Sequence, residues 1–458
     1  MNIIKYLLLK YDLKSGELVT ASQPDYHLRA DGKYSEQIGV LLGDDWCNVG
    51  RTSSPFIRIT YYEMTGELIV TTDLLGSYLQ IYYTVNEEVV YLSTSLEKLL
   101  SMVGIPGRLE EKMTHHFIRH GFIPGSGTLL KGISKVPPNS VLSVTRSGIH
   151  IESKATLYNE DAVTSNTEYF AAIQSSVIKS YINHCVSTNC KPAIALSAGF
   201  DSNYILWQAV QNNKELTTIS VFGERGQSEK DFVNEIGQVY SISPVFCKVG
   251  PDSLGTFEEI VRRLDGSVFE PGIFLQFELA RRLQALGCDA IICGECADQV
   301  YNENFYKTPA ATVQDYKFGS NPYELAAYIV LKKSGIMLNS FGIRPYYPFC
   351  DAEIIRIGSM FRKENEQDKK LHKELCKSVF PAEISAVIKK RGGSTEPCAL
   401  FSSEEASREF IREVYATSKY FKSDCPMTRR FGPVYDYELQ YALTLRYLEL
   451  FEKIFTRI

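Results

Sequence analysis

The pattern of hydrophobic and polar positions divides the chain into two unlike parts. From residue 1 to about 152, short runs such as "SPFIRITYYEMTGELIVTTD" and "SVLSVTRSGIHIES" alternate apolar and polar residues on either side of turn residues. Alternation with a period of two is typical of strands with one buried face, and Thr65-Gly66 suits a turn between two of them. One helix is predicted over "LEEKMTHHFIRHGF", ending at Gly121. This part is predicted to be rich in antiparallel strands.

From about Glu168 the pattern changes to apolar runs that alternate with helical periodicity. Helices are predicted over "EYFAAIQSSVIKSYINHCV", "DSNYILWQAVQNN", "SEKDFVNEIGQVYS" and "FLQFELARRLQALG", with buried strands at "PAIALS", "LTTISVFG", "PVFCKV" and "DAIICG". Strands that alternate with helices imply a parallel sheet covered on both faces, and therefore an α/β fold. After about Tyr301 the pattern is mostly helical. The polar stretch "KATLYNEDAVTSNT" predicts a linker between domains at 1–155 and 168–458.

Length and composition narrow the class of protein. The chain has 458 residues, more than one hydrophobic core usually serves, so two domains are expected. Its 44% hydrophobic and 22% charged residues are ordinary for a globular protein, and the net charge of −5 does not favour a nucleic-acid-binding face. No apolar run approaches the length of a membrane span, and the start lacks the pattern of a signal peptide. We therefore expect a cytoplasmic protein that binds neither nucleic acid nor membrane.

The cysteines do not form a recognisable framework. There are 11 of them, scattered along the chain, which does not indicate a set of structural disulfides. Cys293 and Cys296 make one C-x-x-C, a spacing found in redox pairs and zinc sites. No second C-x-x-C and no nearby histidine cluster completes a zinc site, so we favour coincidence.

The stretch "LSAGFDS" places a small, flexible turn between a buried strand and a helix. Ligands of open parallel sheets bind at the carboxyl ends of the strands, where unpaired N–H groups and the helix dipole favour an anion such as phosphate. Gly199 allows close approach, and Ser197 and Ser202 add hydroxyl donors. Asp201 repels an anion, but fits if Mg²⁺ lies between it and the phosphates. The alternative is a plain strand–loop–helix with Asp201 as the N-cap. Residues 197–202 alone leave both the phosphate site and this alternative open.

Several segments, in order, resemble one family. "LSAGFDS" resembles the pyrophosphate-binding loop of the ATP pyrophosphatases, usually Ser-Gly-Gly-x-Asp-Ser, with Ala198 at the first Gly position. "RRLDGSVFEPG", "IICGECADQVYNENFY", "FGIRPYYPFCD" and "KLHKELCKSVFPAEISAVIKKRGGS" resemble successive motifs of asparagine synthetase, β-lactam synthetase and the lasso-peptide cyclases. "ELIVTTDLLGSYLQIYY" and "FIPGSGTLLKGISKVPPNSVL" resemble the amidotransferase-type domain of that family. Ordered matches over nearly the whole chain are more specific than any one alone.

The resemblance implies a fold and a reaction. It implies an N-terminal Ntn-amidotransferase-like α+β sandwich at 1–155, a degenerate class II glutamine amidotransferase-like domain. It also implies a C-terminal PP-loop ATP pyrophosphatase (adenine nucleotide alpha hydrolase-like) parallel-sheet domain at 168–458. The reaction is that of an ATP-dependent, AMP-forming carbon–nitrogen ligase, which adenylates a carboxylate substrate and couples it to an amine. The implied cofactors are ATP and Mg²⁺.

The resemblance also assigns site residues. It implies nucleotide contacts at the pyrophosphate loop, at the adenine and at a glycine beside the loop: Ser197, Ala198, Gly199, Phe200, Asp201, Ser202, Val221, Phe222 and Gly294. Asp201 and Asp298 are the implied magnesium ligands, with helix caps or surface carboxylates as the alternative. Glu295 would deprotonate or orient the amine, and the alternative is a solvated loop glutamate. The phosphate-contacting lysine is Lys390 or its neighbour Lys389, and a basic surface run is the alternative.

Three weaker assignments accompany these. Glu229 and Asp231 resemble an acidic pair of the family's next helix, although a solvated helix start is equally consistent with the pattern. Asp265 is predicted to face the site. Arg344 stands where the family has Glu, and Tyr346 where it has Arg, which predicts a substrate other than aspartate.

The departure at position 2 is the most informative one. Glutamine-using members carry a nucleophilic cysteine there, activated by its own α-amine, whereas this chain has Asn2 and its first cysteine is Cys47. We expect an N-terminal scaffold without glutaminase activity. The nitrogen then comes from the substrate's own amine, as in β-lactam synthetase and the lasso cyclases, from a second amine, from free ammonia, or from a partner protein that delivers substrate or ammonia. Glu295 favours the asparagine synthetase and lasso-cyclase side, because β-lactam synthetase has Tyr there. The hypotheses are natural-product or lasso-type amide formation, ammonia-dependent asparagine-type synthesis, and a degenerate non-catalytic nucleotide-binding protein.

Overall fold

The computed structural model describes most of the chain and gives a mixed α/β architecture. The described ranges are 7–20, 29–30, 37–43, 56–154, 166–212, 214–223, 227–301, 327–361, 369–389, 400–423 and 437–456. The predicted α/β class with a parallel sheet is confirmed. Asn2, Cys47 and Lys390 lie outside the described residues, as does most of the predicted linker. Among the described residues, no helix is both long and apolar enough to cross a membrane.

The N-terminal half contains two antiparallel sheets. Its strands are β1 (Leu8–Asp12), β2 (Leu18–Thr20), β3 (Arg29–Ala30), β4 (Gln37–Gly43), β5 (Phe56–Tyr62), β6 (Glu67–Thr72), β7 (Tyr82–Asn86), β8 (Val89–Ser93), β9 (Ser134–Lys135), β10 (Ser140–Thr145) and β11 (Gly148–Ser153). One sheet has the order β2-β1-β8-β7-β9 and the other β11-β10-β6-β5-β4-β3. Alternate residues of these strands, such as Leu9, Val70 and Leu92, are buried in one shared core. The period-two pattern therefore produces the two-layer packing that it predicts.

Two helices of this half join a different core. They are α1 (Leu96–Val103) and α2 (Glu111–His120), and α2 ends at Gly121 with φ 74°, as predicted. Phe117 of α2 stacks on Tyr447 of the last helix of the chain, with ring centroids 5.4 Å apart. The buried face of α1 and α2 is thus continuous with the hydrophobic core of the second half.

The second half is built on a five-stranded parallel sheet. Its strands are β12 (Pro192–Ala195), β13 (Thr217–Gly223), β14 (Val245–Val249), β15 (Ala290–Ile292) and β16 (Arg344–Tyr346). The order is β14-β13-β12-β15-β16 and every neighbouring pair is parallel. The chain leaves β12 toward β13 on one side and later returns to β15 on the other, so β12 and β15 flank a topological switch point. Open parallel sheets bind ligands in the crevice at such a point, beyond the carboxyl ends of the strands.

Helices surround this sheet. They are α3 (Thr167–Thr188), α4 (Phe200–Gln211), α5 (Gln227–Tyr240), α6 (Phe257–Leu264), α7 (Ile273–Ala285), α8 (Ala297–Tyr301), α9 (Val330–Ser340), α10 (Ala352–Met360), α11 (Lys370–Val379), α12 (Ala382–Lys389), α13 (Glu404–Thr417) and α14 (Tyr437–Phe455). The helices predicted between the first four strands are confirmed. The described residues after Tyr301 are mostly helical, as the pattern predicts.

Asp265 lies at the junction of the two halves and not at the switch point. Its carboxylate accepts a hydrogen bond from the backbone N–H of Leu96, 3.0 Å away, at the start of α1. The expectation that Asp265 faces the site is therefore wrong, because the carboxylate caps a helix of the N-terminal half. Burial raises its pKa to about 8.

Asp265→Asn should stabilise the protein at alkaline pH. The folded state keeps a proton on Asp265 that the unfolded chain loses above about pH 4, so the wild-type free energy of unfolding falls as the pH rises from about 4 to 8. Asparagine accepts the same N–H bond without a titrating proton and tolerates the φ of 51° at this position. We expect a gain of roughly 5 kcal/mol at pH 8 that shrinks toward pH 4, at about 1.4 kcal/mol for each pH unit, measured by thermal unfolding across that range. A difference in unfolding free energy between Asp265→Asn and the wild type that does not change with pH would contradict the raised pKa of Asp265.

Candidate active site

The loop after β12 is held by side chains of the helix that follows it. Helix α4 begins at Phe200 with Gly199 as its N-cap. The buried Asn203 side chain donates hydrogen bonds to the carbonyl oxygens of Ser197, at 2.8 Å, and Gly199, at 2.7 Å. The Ser202 hydroxyl lies 3.1 Å from the backbone nitrogen of Ser197 and 3.0 Å from its hydroxyl. Ser197 and Ser202, predicted as free donors to phosphate, are thus partly used to shape the loop.

A carboxylate already occupies one N–H group of this loop. The backbone nitrogen of Ala198 donates to Oε1 of Glu229, on α5, at 2.8 Å. This amide therefore binds an anion, the Glu229 carboxylate, at the carboxyl end of β12, and a phosphate would have to displace that carboxylate to bind there. Ala198 has no left-handed backbone and Gly199 has φ −92°, so the turn does not use the conformational freedom of glycine.

The two predicted magnesium ligands converge on one ammonium group. Asp201 lies in the first turn of α4 and Asp298 in the first turn of α8. Nζ of Lys369, just before α11, lies 2.8 Å from Oδ2 of Asp201 and 2.6 Å from Oδ1 of Asp298. Burial opposes the charge on Lys369, but the two carboxylates outweigh it and raise the pKa of the ammonium. Lys369 is not among the site residues predicted from the sequence.

A buried histidine holds Asp201 from the other side. Nε2 of His372 lies 3.0 Å from Oδ1 of Asp201, and Nδ1 lies 3.0 Å from the side-chain oxygen of Gln174. The imidazole is fully buried and stacks on Tyr301, with centroids 5.0 Å apart. Burial lowers the pKa of His372, which favours a neutral ring. Two groups thus fix the orientation of the Asp201 carboxylate.

The Asp201–Asp298 pair fits a magnesium ion. Mg²⁺ is usually held by one or two carboxylates, with waters and substrate phosphates as the remaining ligands. The convergence of Asp201 and Asp298 on the Lys369 ammonium shows that both carboxylates face a single cation-binding point. In the part of the chain that the structure describes, no three His, Cys, Asp or Glu side chains cluster as a metal site, so phosphate oxygens would complete the ligand set.

Glu295 lies near a second group of charges, formed by Glu270 and Lys333. Its Oε1 accepts a hydrogen bond from the Gln276 side chain at 3.0 Å. Glu270 and Lys333 form an ion pair of 2.5 Å beside it, with only 12% and 14% of their side chains exposed. Burial raises the pKa of Glu295, Lys333 opposes that rise, and Glu270 adds to it. A carboxylate with a raised pKa next to a metal-binding pair can accept a proton from an incoming amine.

Two residues between β15 and α8 set the spacing of the crevice. A Cβ on Gly294 would lie 3.1 Å from the backbone nitrogen of Ser202 and 3.2 Å from Cβ of Asp201, so glycine lets this segment approach the loop closely. Cys296 has φ 73°, a conformation that favours glycine, at the position where the resembled family has Gly. Cys293 and Cys296 are buried free thiols.

The other predicted residues fall at different distances from the switch point. Val221 and Phe222 lie at the carboxyl end of β13, the neighbour of β12. Lys389 is the last residue of α12, which packs against α5, the helix that carries Glu229. Asp231 is an exposed residue of α5. The adenine and lysine assignments stay predictions.

The prediction drawn from Arg344 and Tyr346, a substrate other than aspartate, is not tested by the structure and stays a prediction. Arg344 begins β16, at the amino end of the sheet, opposite the crevice. Tyr346 is fully buried, and its hydroxyl lies 3.1 Å from the Asn189 side chain, after α3. Strand direction thus puts Arg344 at the far edge of the sheet, and packing buries Tyr346 under a helix.

Lys369→Met should make the protein's stability depend on magnesium. Without the ammonium, Asp201 and Asp298 lose their common countercharge, which we expect to cost about 3 kcal/mol in unfolding free energy. Mg²⁺ should raise the thermal unfolding temperature of this variant more than that of the wild type. Lys370→Met, which removes an exposed neighbouring lysine, is the matched control and should change neither property. If Mg²⁺ does not raise the unfolding temperature of Lys369→Met, the Asp201–Asp298 pair does not bind magnesium as inferred.

In comparisons with known proteins, a family model matches part of the chain. A family model described as asparagine synthase matches residues 175–318, which include the 197–202 loop, Glu295 and Asp298. No curated protein matches the sequence significantly. The glutamine phosphoribosylpyrophosphate amidotransferase from B. subtilis, in complex with ADP and GMP, matches with 10% identity, 43% of this chain, 49% of that chain and a TM-score of 0.16. A structure of the allosteric regulatory enzyme of purine biosynthesis matches with the same identity and TM-score, over 43% and 48%. The chain spans about half the length of these two structures, and likenesses this weak carry no argument.

Proposed function

Because residues 175–318 match the asparagine synthase family model, we propose that this chain is an AMP-forming amide synthetase. The family implies an ATP-dependent carbon–nitrogen ligase. The observation that supports the proposal most is the convergence of Asp201 and Asp298 beside the Ala198 N–H group, at the switch point of a parallel sheet. That crevice offers a cation site next to an anion site, which is what a magnesium–ATP complex requires.

In the first step a carboxylate oxygen of the substrate attacks the α-phosphorus of ATP. The bond from that phosphorus to the β-phosphate bridging oxygen breaks, which gives an acyl-adenylate and pyrophosphate. The N–H groups of the 197–202 loop would bind the departing pyrophosphate, and Asp201 and Asp298 would hold a magnesium ion, which neutralises phosphate charge when bound. Val221 and Phe222 would lie against the adenine, and Lys389 or Lys390 would contact the phosphates.

In the second step an amine nitrogen attacks the acyl carbon, and AMP leaves. The nitrogen must lose a proton, and Glu295 would take it; burial raises the pKa of this carboxylate, which makes it a better proton acceptor. Glutamine independence rests on Asn2, and with it the proposal that residues 1–155 are a degenerate amidotransferase-like domain. A substrate-borne amine is then the nitrogen source that we favour, in natural-product or lasso-type peptide formation.

The test uses hydroxylamine as a general amine. The protein, ATP and Mg²⁺ are incubated with panels of amino acids, small acids and peptides, and AMP and hydroxamate are measured together. Equal amounts of AMP and hydroxamate with one acid are the expected result. An ammonium-dependent product labelled by ¹⁵N-ammonium would instead select asparagine-type synthesis. Failure to bind ATP at all, with Asp201→Ala changing nothing, would select a degenerate protein and overturn the proposal.

A further inference from the structure

Helix α9 (Val330–Ser340) connects the two halves of the described structure. Its consecutive residues Lys332 and Lys333 make contacts in different halves. Lys332 is almost fully buried, and its ammonium donates to the carbonyl oxygen of Gly76 at 2.5 Å. Lys333 pairs with Glu270 beside Glu295, in the candidate site. One helix thus contacts both the N-terminal half and the synthetase crevice.

The N-terminal partner of α9 is a well-ordered turn over residues 73–78, here called the 73–78 turn. The buried Asp73 carboxylate accepts hydrogen bonds from the backbone nitrogens of Leu75 and Ser77, each at 3.0 Å, and lies near the Lys332 ammonium. The Asn339 side chain donates to the carbonyl oxygen of Tyr78 at 3.2 Å. The turn therefore holds the helix at two positions that lie two turns of helix apart.

Gly335 fixes how closely the helix approaches this turn. A Cβ at Gly335 would lie 2.0 Å from the carbonyl oxygen of Ser77, a backbone atom that cannot swing away. Any other L-residue must move either the helix or the turn. The position of α9 is therefore set by backbone contact with the N-terminal half.

The opposite side of α9 positions groups of the crevice. The buried Ser334 hydroxyl lies 2.9 Å from the Tyr347 hydroxyl. A Cβ on Gly272 would lie 2.3 Å from Oε1 of Glu270 and 3.1 Å from Nζ of Lys333, so the ion pair has little free space around it. A displacement of the helix would move Lys333 relative to Glu270 and Glu295.

We propose that the 73–78 turn is a positioning element of the synthetase site, in which Lys332 and Gly335 place α9 so that Lys333 holds Glu270 beside Glu295. The proposal rests on the proposed function for its catalytic consequence. It also gives residues 1–155 a role without glutaminase chemistry, because the turn shapes the crevice in which the amine reacts. Lys332 and Gly335 act through Lys333 and touch no substrate, so they are positioning residues.

The first test needs no substrate. The reactivity of Lys333 toward a brief pulse of acetic anhydride is measured by mass spectrometry in the wild type, in Gly335→Ala and in a matched control. The control is Gly107→Ala, because a Cβ there would lie 2.2 Å from the carbonyl oxygen of Phe455, an equally tight contact made away from α9. Acetylation of Lys333 should rise by about threefold or more in Gly335→Ala and stay unchanged in Gly107→Ala. An unchanged rate in folded Gly335→Ala, or the same rise in both variants, would overturn the proposal.

Two milder variants cover the case in which Gly335→Ala does not fold. Asn339→Ala and Lys332→Met remove single contacts with the turn, and each should raise Lys333 acetylation in the same direction. Lys332→Arg keeps the charge and should restore part of the wild-type rate. If no variant of the turn contact changes Lys333 reactivity, the proposal fails.

The second test separates this proposal from the proposed function. With the acid found by hydroxamate formation, Gly335→Ala should lower kcat of the amide step by about tenfold, with little change in the KM for ATP. In the Lys333→Met background, Gly335→Ala should have almost no further effect on kcat, because the lysine through which it acts has been removed. A wild type that forms no AMP refutes the proposed function. If the wild type is active and the effects of Gly335→Ala and Lys333→Met on kcat are fully additive, only the positioning role is refuted.

Discussion

Asp201→Asn is expected to lower ATP–pyrophosphate exchange by about three orders of magnitude. The asparagine amide cannot supply the negative charge that neutralises a magnesium ion, and its N–H₂ group adds a donor where the Lys369 ammonium already donates. The same change should weaken binding of ATP in the presence of Mg²⁺ while leaving binding in its absence nearly unchanged. Exchange kinetics and calorimetry of ATP binding, each with and without Mg²⁺, measure the two effects.

The matched control for Asp201 is Asp289→Asn. Asp289 precedes β15 at the amino end of the sheet, where its carboxylate accepts N–H bonds from Cys190 and Lys191 at 2.7 and 2.9 Å. It is an aspartate on the same sheet at the edge opposite the crevice, so its variant should exchange at the wild-type rate. Equal losses in both variants would mean that the carboxyl edge of the sheet is not the site of adenylation.

Glu295→Gln is expected to separate the two half-reactions. Amide formation should fall by about 10² to 10³-fold, because glutamine cannot take the proton of the attacking amine. Pyrophosphate exchange should stay within about threefold of the wild type, because adenylation moves no proton to Glu295. The measurement compares exchange with single-turnover transfer from the preformed acyl-adenylate to the amine.

Gln276→Ala tests whether the Glu295 effect is one of charge or of packing. This change removes the 3.0 Å hydrogen bond to Glu295 but leaves the carboxylate in place. It should reduce amide formation by less than about tenfold. A Gln276→Ala defect as large as that of Glu295→Gln, or a loss of exchange in Glu295→Gln, would contradict the role of Glu295 as proton acceptor.

The sequence predicts best the elements whose own hydrophobic pattern shows that they are buried. β12 to β15 are short apolar runs between amphipathic helices, so both their existence and their parallel arrangement follow from the pattern. β16 is different, because it has three residues and its central one is Pro345. Proline cannot donate to a sheet and is confined to edge strands, and an edge position becomes evident only once the sheet is assembled.

The candidate site, too, can be predicted from the sequence only in part. Asp201, Glu295 and Asp298 are found from the sequence because they occupy motif positions next to strand ends. Lys369 and Lys333 are missed because they come from segments after Asp298 along the chain, which only the folded chain brings to the crevice. Glu270 lies within a segment that resembles the family, but its ion pair with Lys333 becomes evident only in the fold. The position of Arg344 could not be predicted for a related reason, since the motif gives the strand but not which of its ends faces the ligand.

The most direct test of the account is ATP–pyrophosphate exchange with Mg²⁺, screened over amino acids, small acids and peptides, in the wild type and in Asp298→Asn. The account predicts exchange with one class of acid in the wild type and its loss in the variant, because Asp298 and Asp201 converge on the same cation-binding point. Exchange that persists unchanged in Asp298→Asn would contradict the account, because adenylation would then take place without the Asp201–Asp298 crevice.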